Sequence, residues 1–523
     1  MPETVPTVPT APARSLRVVL PGLMLAILLA MLDNMIVGTA MPRIVGELGG
    51  LAHLSWVVTA YVLGTTVSTP IWGKLGDLYG RKSVFLVSIV IFLVGSALSG
   101  AAHSMSQLIG FRALQGLGAG GLIVGAMAII GDLVPPRERG KYQGMMAAVM
   151  AAAMIAGPLT GGFITDHLSW RWAFYVNLPL GGLALLVLVT TLHLPKYRTE
   201  HRIDWYGAGL LSVGITALVL VTTWGGTQYA WRSVQIIGLA VVAVLALVAF
   251  GFAERRAAEP VLALGLFRIR NFTLVSAIGF IVGFALFGAV TFLPLYQQTV
   301  QGASATNSGL LLLPMMAGML VTSIAVGRAI TKTGRYKAFP VIGGTLMAVG
   351  MFLLSLLGVH TTRTTSSIYM VVLGIGMGFL MQTTMLIAQN SVDQRDLGVA
   401  SSAATFFRSI GGSFGVSLFG AIFAHRLTAD VTAHLGTVAA GRLSGGGSGG
   451  HLDPATLKAL PAPVREAFLH AVAYASSGVF GWAVLFAVAV PVLAVFIKEV
   501  PLRSGAQPRE VPAEAPVPVT AGD

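Results

Sequence analysis

Two charged residues set in otherwise apolar sequence carry the clearest chemical signal. Asp33 lies in Leu32-Asp-Asn-Met-Ile-Val-Gly-Thr-Ala-Met-Pro42, and Arg112 opens Arg112-Ala-Leu-Gln-Gly-Leu-Gly-Ala-Gly-Gly121. Each belongs to a run of roughly 20 mostly apolar residues, the length that crosses a bilayer. A charge at that depth is expensive, so a functional role is the default reading. Burial disfavours the ionised carboxylate, which lets Asp33 load a proton on one side of a membrane and release it on the other. The alternative is a structural hydrogen bond within a helical bundle. A cation near Asp33 helps eject that proton, and both groups in one water-filled cavity cost less than either alone. A third charge, Arg408 in Phe406-Phe-Arg-Ser-Ile-Gly-Gly412, can meet carbonyls or a substrate anion, or snorkel toward the aqueous face.

The elements that must position these groups follow from composition. The chain has 523 residues, 55% hydrophobic and only 10% charged, with a mean hydropathy of +0.80. That is too apolar for a water-covered surface, and the natural solvent is lipid. About fourteen apolar runs of spanning length emerge, centred near Leu28, Leu63, Ile91, Leu117, Ala151, Leu183, Ile215, Val242, Gly283, Leu320, Ala348, Gly376, Gly412 and Val488. The expected fold is therefore an all-α integral membrane protein.

The runs group as six, two and six. Residues 1–15 read as a disordered tail, 16–195 as a first six-helix bundle, 196–270 as two extra spans with their loops, 271–500 as a second six-helix bundle and 501–523 as a second tail. Within the last bundle, residues 424–476 read as a long external loop and solvated spacer, containing the flexible run Ser444 to Gly450. The first span exceeds a signal-peptide core and lacks a small-residue cleavage site, so it is expected to remain uncleaved.

Orientation comes from the loops. With the N-terminus inside, about 23 of the 33 Lys and Arg fall on the cytoplasmic side, among them Lys74, Arg137, Arg139, Arg255, Arg268 and Lys332. Both termini are then cytoplasmic, and the net charge of +13 is a topology signal and a match to anionic lipid headgroups. No basic cluster is interleaved with aromatics, so a nucleic-acid partner is not expected. With no Cys there is no thiol chemistry, and the ten His fall in loops or near span ends, where no metal site suggests itself. No cofactor is expected. No clustered catalytic groups, nucleophile elbow or nucleotide loop appears, which disfavours an enzyme or a primary pump.

Gly73-Lys-Leu-Gly-Asp-Leu-Tyr-Gly-Arg-Lys-Ser83 joins two spans through a turn that needs its glycines and places an acid among basic residues. Gly73, Gly80 and Arg81 are echoed by Gly327, Gly334 and Arg335, with Asp77 replaced by Thr331, a trace of the parallel repeats on which transporters build two halves.

The Gly73–Ser83 loop resembles the G-x-L-x-D-x-x-G-R-K hallmark of the major facilitator superfamily. That resemblance implies two six-helix bundles working by alternating access. It implies a gate in which Asp77 faces the start of a second-half helix near Gly398 and Arg81 pairs with Asp132, with Gly73 and Gly80 shaping the turn. The segment at Arg112 resembles the family's R-x-x-Q-G motif, associated with proton transfer, which makes Asp33 and Arg112 the proton-coupling pair. Gly116, Gly118 and Gly121 also satisfy G-x-G-x-x-G, but no strand precedes them, so they read as helix packing. Ala156-Gly-Pro-Leu-Thr-Gly-Gly162 resembles the antiporter motif, with Gly157 and Gly161 admitting a neighbouring helix, Pro158 bending the span, and Gly162 completing the pattern. Trp170-Arg-Trp-Ala-Phe-Tyr-Val-Asn-Leu-Pro179 resembles a signature of the fourteen-span drug:proton antiporters of the EmrB/QacA-like branch. Trp170, Trp172 and Tyr175 themselves read first as an interfacial aromatic belt.

The resemblance implies a monomeric inner-membrane antiporter exporting small lipophilic, neutral or monovalent cationic drugs in exchange for protons. A dedicated cargo such as an endogenous antibiotic or a lipid, and a proton-coupled importer, stay open. Candidate cavity residues are Asn34, Gln115, Phe287, Phe292, Gln297, Met381, Gln382 and Arg408. Asn34, Met35 and Gly38 depart from the usual span-one pattern, which bears on the substrate.

Overall fold

The structure, a computed structural model, describes residues 13–48, 54–134, 136–192, 204–225, 229–257, 264–303, 311–393, 396–444 and 461–502. The described residues are almost wholly helical, and their only β pairing is an isolated bridge between Gly225 and Tyr229. Among the described residues, eleven helices are long and apolar enough to cross a membrane. They are α1 (Ala13–Leu48), α3 (Arg81–Gly100), α4 (Met105–Leu133), α7 (Asn177–Thr191, continuing the short α6, Trp172–Tyr175), α8 (Trp205–Trp224), α9 (Val234–Glu254), α10 (Arg270–Thr299), α11 (Leu313–Thr333), α13 (Arg363–Asn390), α14 (Leu397–Ser444) and α15 (Ala462–Val495). Three further helices, α2 (Leu54–Tyr79), α5 (Pro136–His167) and the short apolar α12 (Ala338–Leu354), lie on other apolar runs seen in the sequence but are not among the eleven.

Helices α1–α7 form one bundle, in which α1 packs on α5 and α7 while α4 is gripped by α2 and α3. Helices α10–α15 form the other, through α10–α14, α11–α13, α12–α13 and α12–α15 contacts. The bundles meet where α5 lies on α11 and where α14 lies on α2 and α4. Helix α8 packs on α2 and α14 and shares its apolar face with the second bundle through Leu211, Ile215 and Val219. Helix α9 packs on α8 and presents Val241, Val244, Leu245 and Val248 outward, as a lipid-facing helix should.

Small residues set these approaches. A Cβ on Gly116 or Gly120 would meet the α2 carbonyl oxygens of Tyr61 or Thr65, and one on Gly118 would meet the α3 backbone at Phe92. The glycine run is therefore a helix-packing seam, and close backbone approach of this kind is how helices associate in lipid.

Segment 424–476 differs from the spacer expected from its polarity. Helix α14 continues unbroken to Ser444 and α15 starts at Ala462, so most of the segment is helical. The cause is apolar seam residues on both sides, Leu427, Val431, Phe468 and Val472, all buried. The glycine-rich run after Ser444 lies outside the described residues, as do 1–12, 193–203 and 503–523. Helix α1 starts at Ala13, inside the stretch read as a tail.

Candidate functional site

Asp33 sits halfway along α1 and is completely buried, as are Arg112 and Gln115 on α4 and Asn177 at the start of α7. The α4 glycine seam holds the backbone of α4 hard against α2 and α3, so Arg112 and Gln115, one helical turn apart, face α1 together. Arg112 Nη1 donates to Asp33 Oδ2 at 2.5 Å and to Gln115 Oε1 at 2.9 Å, and Nη2 donates to Asn34 Oδ1 at 3.3 Å. Gln115 Nε2 and Asn177 Nδ2 both donate to Asp33 Oδ1, at 2.8 and 2.7 Å. The Tyr61 ring lies 4.0 Å below the guanidinium carbon, and its hydroxyl donates to the Ala30 carbonyl at 3.1 Å.

Asp33 thus receives three donors from two other helices, and the network unites α1, α4 and α7 of the first bundle. Both carboxylate oxygens are thereby matched by donors, one of them the guanidinium of Arg112. The pair is electrically neutral as it stands.

Asn177 is the participant that the sequence reading left without a role, although it lies in the quoted Trp170–Pro179 motif. It also donates to Ser96 Oγ at 2.9 Å, tying α7 to α3. The available signal was a buried-type amide in an apolar run, which is chemically unremarkable until its partner is known. The aromatic belt reading of the same motif needs correction at Trp170. That ring is 1% exposed and donates from Nε1 to Glu47 Oε2 at 2.8 Å, while Arg171 donates to Glu47 Oε1 and to the Gly100 and Ala102 carbonyls. The buried apolar neighbours Phe174, Met105 and Ile44 pull the indole inward, and only Trp172 remains outside as a belt residue would.

The second cluster lies at the end of α2. Gly80 adopts φ 92°, a left-handed conformation that an L side chain resists, and so turns the chain abruptly into α3. Across that turn Arg81 donates to Asp77 Oδ1 at 2.8 Å, pairs with Asp132 at the end of α4, and donates to the Ala128 carbonyl at 3.0 Å. Asp77 Oδ2 accepts from the Val399 amide at 3.0 Å, in the first turn of α14 and in the other bundle. A Cβ on Gly398 would strike the Asp77 carboxylate, and one on Gly73 would strike Ser402 and the Gly398 carbonyl. The gate residues therefore bridge the bundles at one end through an anion at a helix N-terminus.

In the α5 motif, a Cβ on Gly157 would meet Met35, two residues beyond Asp33, so this glycine lets α5 close on α1 beside the site. Gly161 is buried, Gly162 has open space before it, and the Pro158 side chain lies outside the described residues, although α5 runs through it. In the second bundle Arg408 and Met381 come together, with Thr384, Met385 and Gly279, around a small pocket between α10, α13 and α14. No described residue gives the Arg408 guanidinium a hydrogen bond or an ion pair. Phe287 packs over Gly412, one turn of α14 beyond Arg408. Phe292 stacks against Phe423 at 5.5 Å and Gln297 is 1% exposed near Met370, so both belong to the packed core of that bundle and not to the pocket. Gln382 is also buried.

Residues 23–416 match the Major Facilitator Superfamily. The chain belongs to that superfamily. An uncharacterized MFS-type transporter of Mycobacterium tuberculosis is 42% identical over 511 residues, covering 95% of this chain and 73% of that protein. The multidrug transporter protein MdtP of Bacillus subtilis is 42% identical over 401 residues, covering 77% and 74%. Among solved structures, the human organic anion transporter MFSD10 superposes with a TM-score of 0.59 at 13% identity, over 90% of this chain and 99% of that one, a likeness of fold. This facilitator is accordingly a multi-pass membrane transporter of small molecules and not an enzyme.

Proposed function

We propose that this transporter exports small lipophilic molecules in exchange for protons, with Asp33 as the group that carries the proton. The supporting observation is the isolation of Asp33: it is the one carboxylate at mid-span among the described residues, and its partner is a buried Arg112. A neutral Asp33–Arg112 pair tolerates a neutral or singly charged lipophilic cargo nearby. Protonation releases Arg112 and makes the site positive, which repels a cationic cargo, while the freed guanidinium competes with a neutral cargo for the same space, so proton and cargo occupy the site in turn. Export in place of import rests on the Gly157–Gly162 motif and on likeness to the Bacillus subtilis multidrug transporter.

The Asp77–Val399 contact and the Arg81–Asp132 pair belong to the state closed at that end. With the N-terminus inside, as the basic loops argue, that end is the cytoplasmic one and the protein sits in a bacterial inner membrane as a monomer. Opening it breaks the hydrogen bond to the Val399 amide together with the packing of Gly73 against Ser402 and Gly398.

The test is purified transporter in vesicles loaded with a pH-sensitive dye, under an imposed proton gradient, with lipophilic cations and neutral drugs added. Wild type is expected to release protons on addition of a cargo, Asp33→Asn to release none, and Asp33→Glu to keep part of the response. Removing one partner of a buried pair destabilises by about 3–5 kcal/mol, so the folding of each variant is checked by thermal unfolding in the same lipid. Equal proton release by well-folded Asp33→Asn and wild type would remove Asp33 from the mechanism.

A further inference from the structure

The outer ends of α14 and α15 carry a cluster that the transport reading does not use. Asp430 and His434 are one turn apart on α14, and His470 faces them from α15, 40 residues beyond Asp430. The sequence reading found no metal site because nothing in the spacing links His470 to the other two. In the folded protein, His470 Nδ1 lies 3.1 Å and His434 Nδ1 3.5 Å from the same Asp430 oxygen, and one ligand atom from each residue falls within 4.8 Å of the others. We propose that Asp430, His434 and His470 form a binding site for a divalent cation of the zinc type.

The ligand set and its spacing carry this assignment. Two imidazoles and one carboxylate suit zinc and its first-row neighbours, whereas calcium and magnesium favour all-oxygen sites. Bonds of about 2.0–2.1 Å in a tetrahedron place neighbouring ligand atoms about 3.3–3.4 Å apart, between the two distances seen here. The remaining imidazole-to-imidazole edge closes by turning rings that are half exposed, at 51% and 56%. Backbone positions, in contrast, are fixed. Leu427 and Val431 on α14, and Phe468, Ala471 and Val472 on α15, are buried in the seam on either side of the ligands. The nearest cation along α14, Arg426, is turned onto the Tyr474 ring at 5.0 Å.

Three protein ligands leave a fourth position open to solvent, as in an exchangeable site and unlike a closed structural one. Asp430 lies roughly 50 Å along α14 from Leu397, and His470 roughly 38 Å from the end of α15, both beyond a hydrocarbon core of about 30 Å. The site therefore sits in water at the face opposite the Asp77 gate. Both helices belong to the second bundle, so a bound cation pins their ends to each other and leaves the contact between bundles alone.

The test uses the full-length, tag-free protein in nanodiscs, stripped with chelator and then titrated with Zn²⁺ by calorimetry and with Co²⁺ by visible absorption. One ion per chain is expected, with the intense absorption of four-coordinate Co²⁺. His434→Ala and His470→Ala are each expected to weaken binding by about tenfold or more, and Asp430→Asn to do the same. His360→Ala, remote from the cluster, is expected to bind as wild type does. All four changes affect side chains outside the membrane, and elution as a single species confirms that each variant is folded. Hydrogen exchange supplies a second readout, with Zn²⁺ slowing amide exchange at the outer ends of α14 and α15 in wild type only. Absence of saturable binding in wild type, or full binding in the His434→Ala/His470→Ala double variant, overturns the assignment. Neither measurement involves a proton gradient or a cargo, so the outcome is independent of the antiport proposal.

Discussion

Helices α2 and α11 both end at a glycine of positive φ but differ in ψ, 127° at Gly80 and 0° at Gly334, and in what their side chains reach. Gly80 and Gly334 both adopt left-handed φ, at 92° and 70°, and each is followed by an arginine. After α2, Arg81 is buried between Asp77 and Asp132, and Asp77 extends to the Val399 amide of the other bundle. After α11, Arg335 is exposed, and Thr331, in the place of the acid, bonds back to the Gly327 carbonyl of its own helix. The lesson is that the repeat preserves a glycine of positive φ and not the clamp. A glycine-driven turn needs only a backbone conformation, whereas a clamp needs a charge and a partner on a different helix.

Breaking the comparison at its most asymmetric point gives the largest effect. Arg81→Ala removes the cation buried between Asp77 and Asp132, and should lower stability by about 3–5 kcal/mol, whereas Arg335→Ala at an exposed site should stay within about 0.5 kcal/mol. Thermal unfolding of the two variants in one lipid checks this, and equal losses would show that the two turns are clamped alike.

A smaller effect is expected from the crossing contact. Gly398→Ala pushes a methyl group into the Asp77 carboxylate, and Asp77→Asn removes the charge that the Val399 amide meets. Each should favour the open end by about 1–2 kcal/mol, a shift of roughly 5–30-fold in the equilibrium. The chain has no Cys, so a single introduced thiol near Gly73 reports the change as faster labelling.

The smallest contrast is between the two glycines themselves. Gly334→Ala forces an L side chain into the αL backbone at φ 70°, ψ 0° and should cost about 1–2 kcal/mol, whereas Gly80→Ala, at φ 92°, ψ 127°, lies outside the αL region and should cost more. Equal losses in thermal unfolding would show that the difference in ψ does not matter to the two turns.

Much of the architecture was legible beforehand because membrane spans are local: a run of apolar residues must be helical in lipid, whatever it packs against. Asp33 and Arg112 stood out for the same reason, since a charge within such a run is conspicuous by itself. Helices α2, α5 and α12 were still recognisable by the loops that bound them. The segment after Ala424 was misread because its polar residues suggested water, while the buried face formed by Leu427 and Val431 becomes visible only when α15 is placed beside it.

By itself, then, the sequence determined the helices, the two charged residues at mid-span and the glycine turns, all of which follow from solvent and from backbone conformation within one segment. Only the tertiary structure decided which side chains meet. It brought Asn177 to Asp33 across 144 residues, the Val399 amide to Asp77 across 322, and His470 to Asp430, and it left Arg408 without a described partner. The physical reason is that the face a helix turns toward its neighbour is set by close packing at residues such as Gly116, Gly118 and Gly157, and hydropathy carries no record of that rotation.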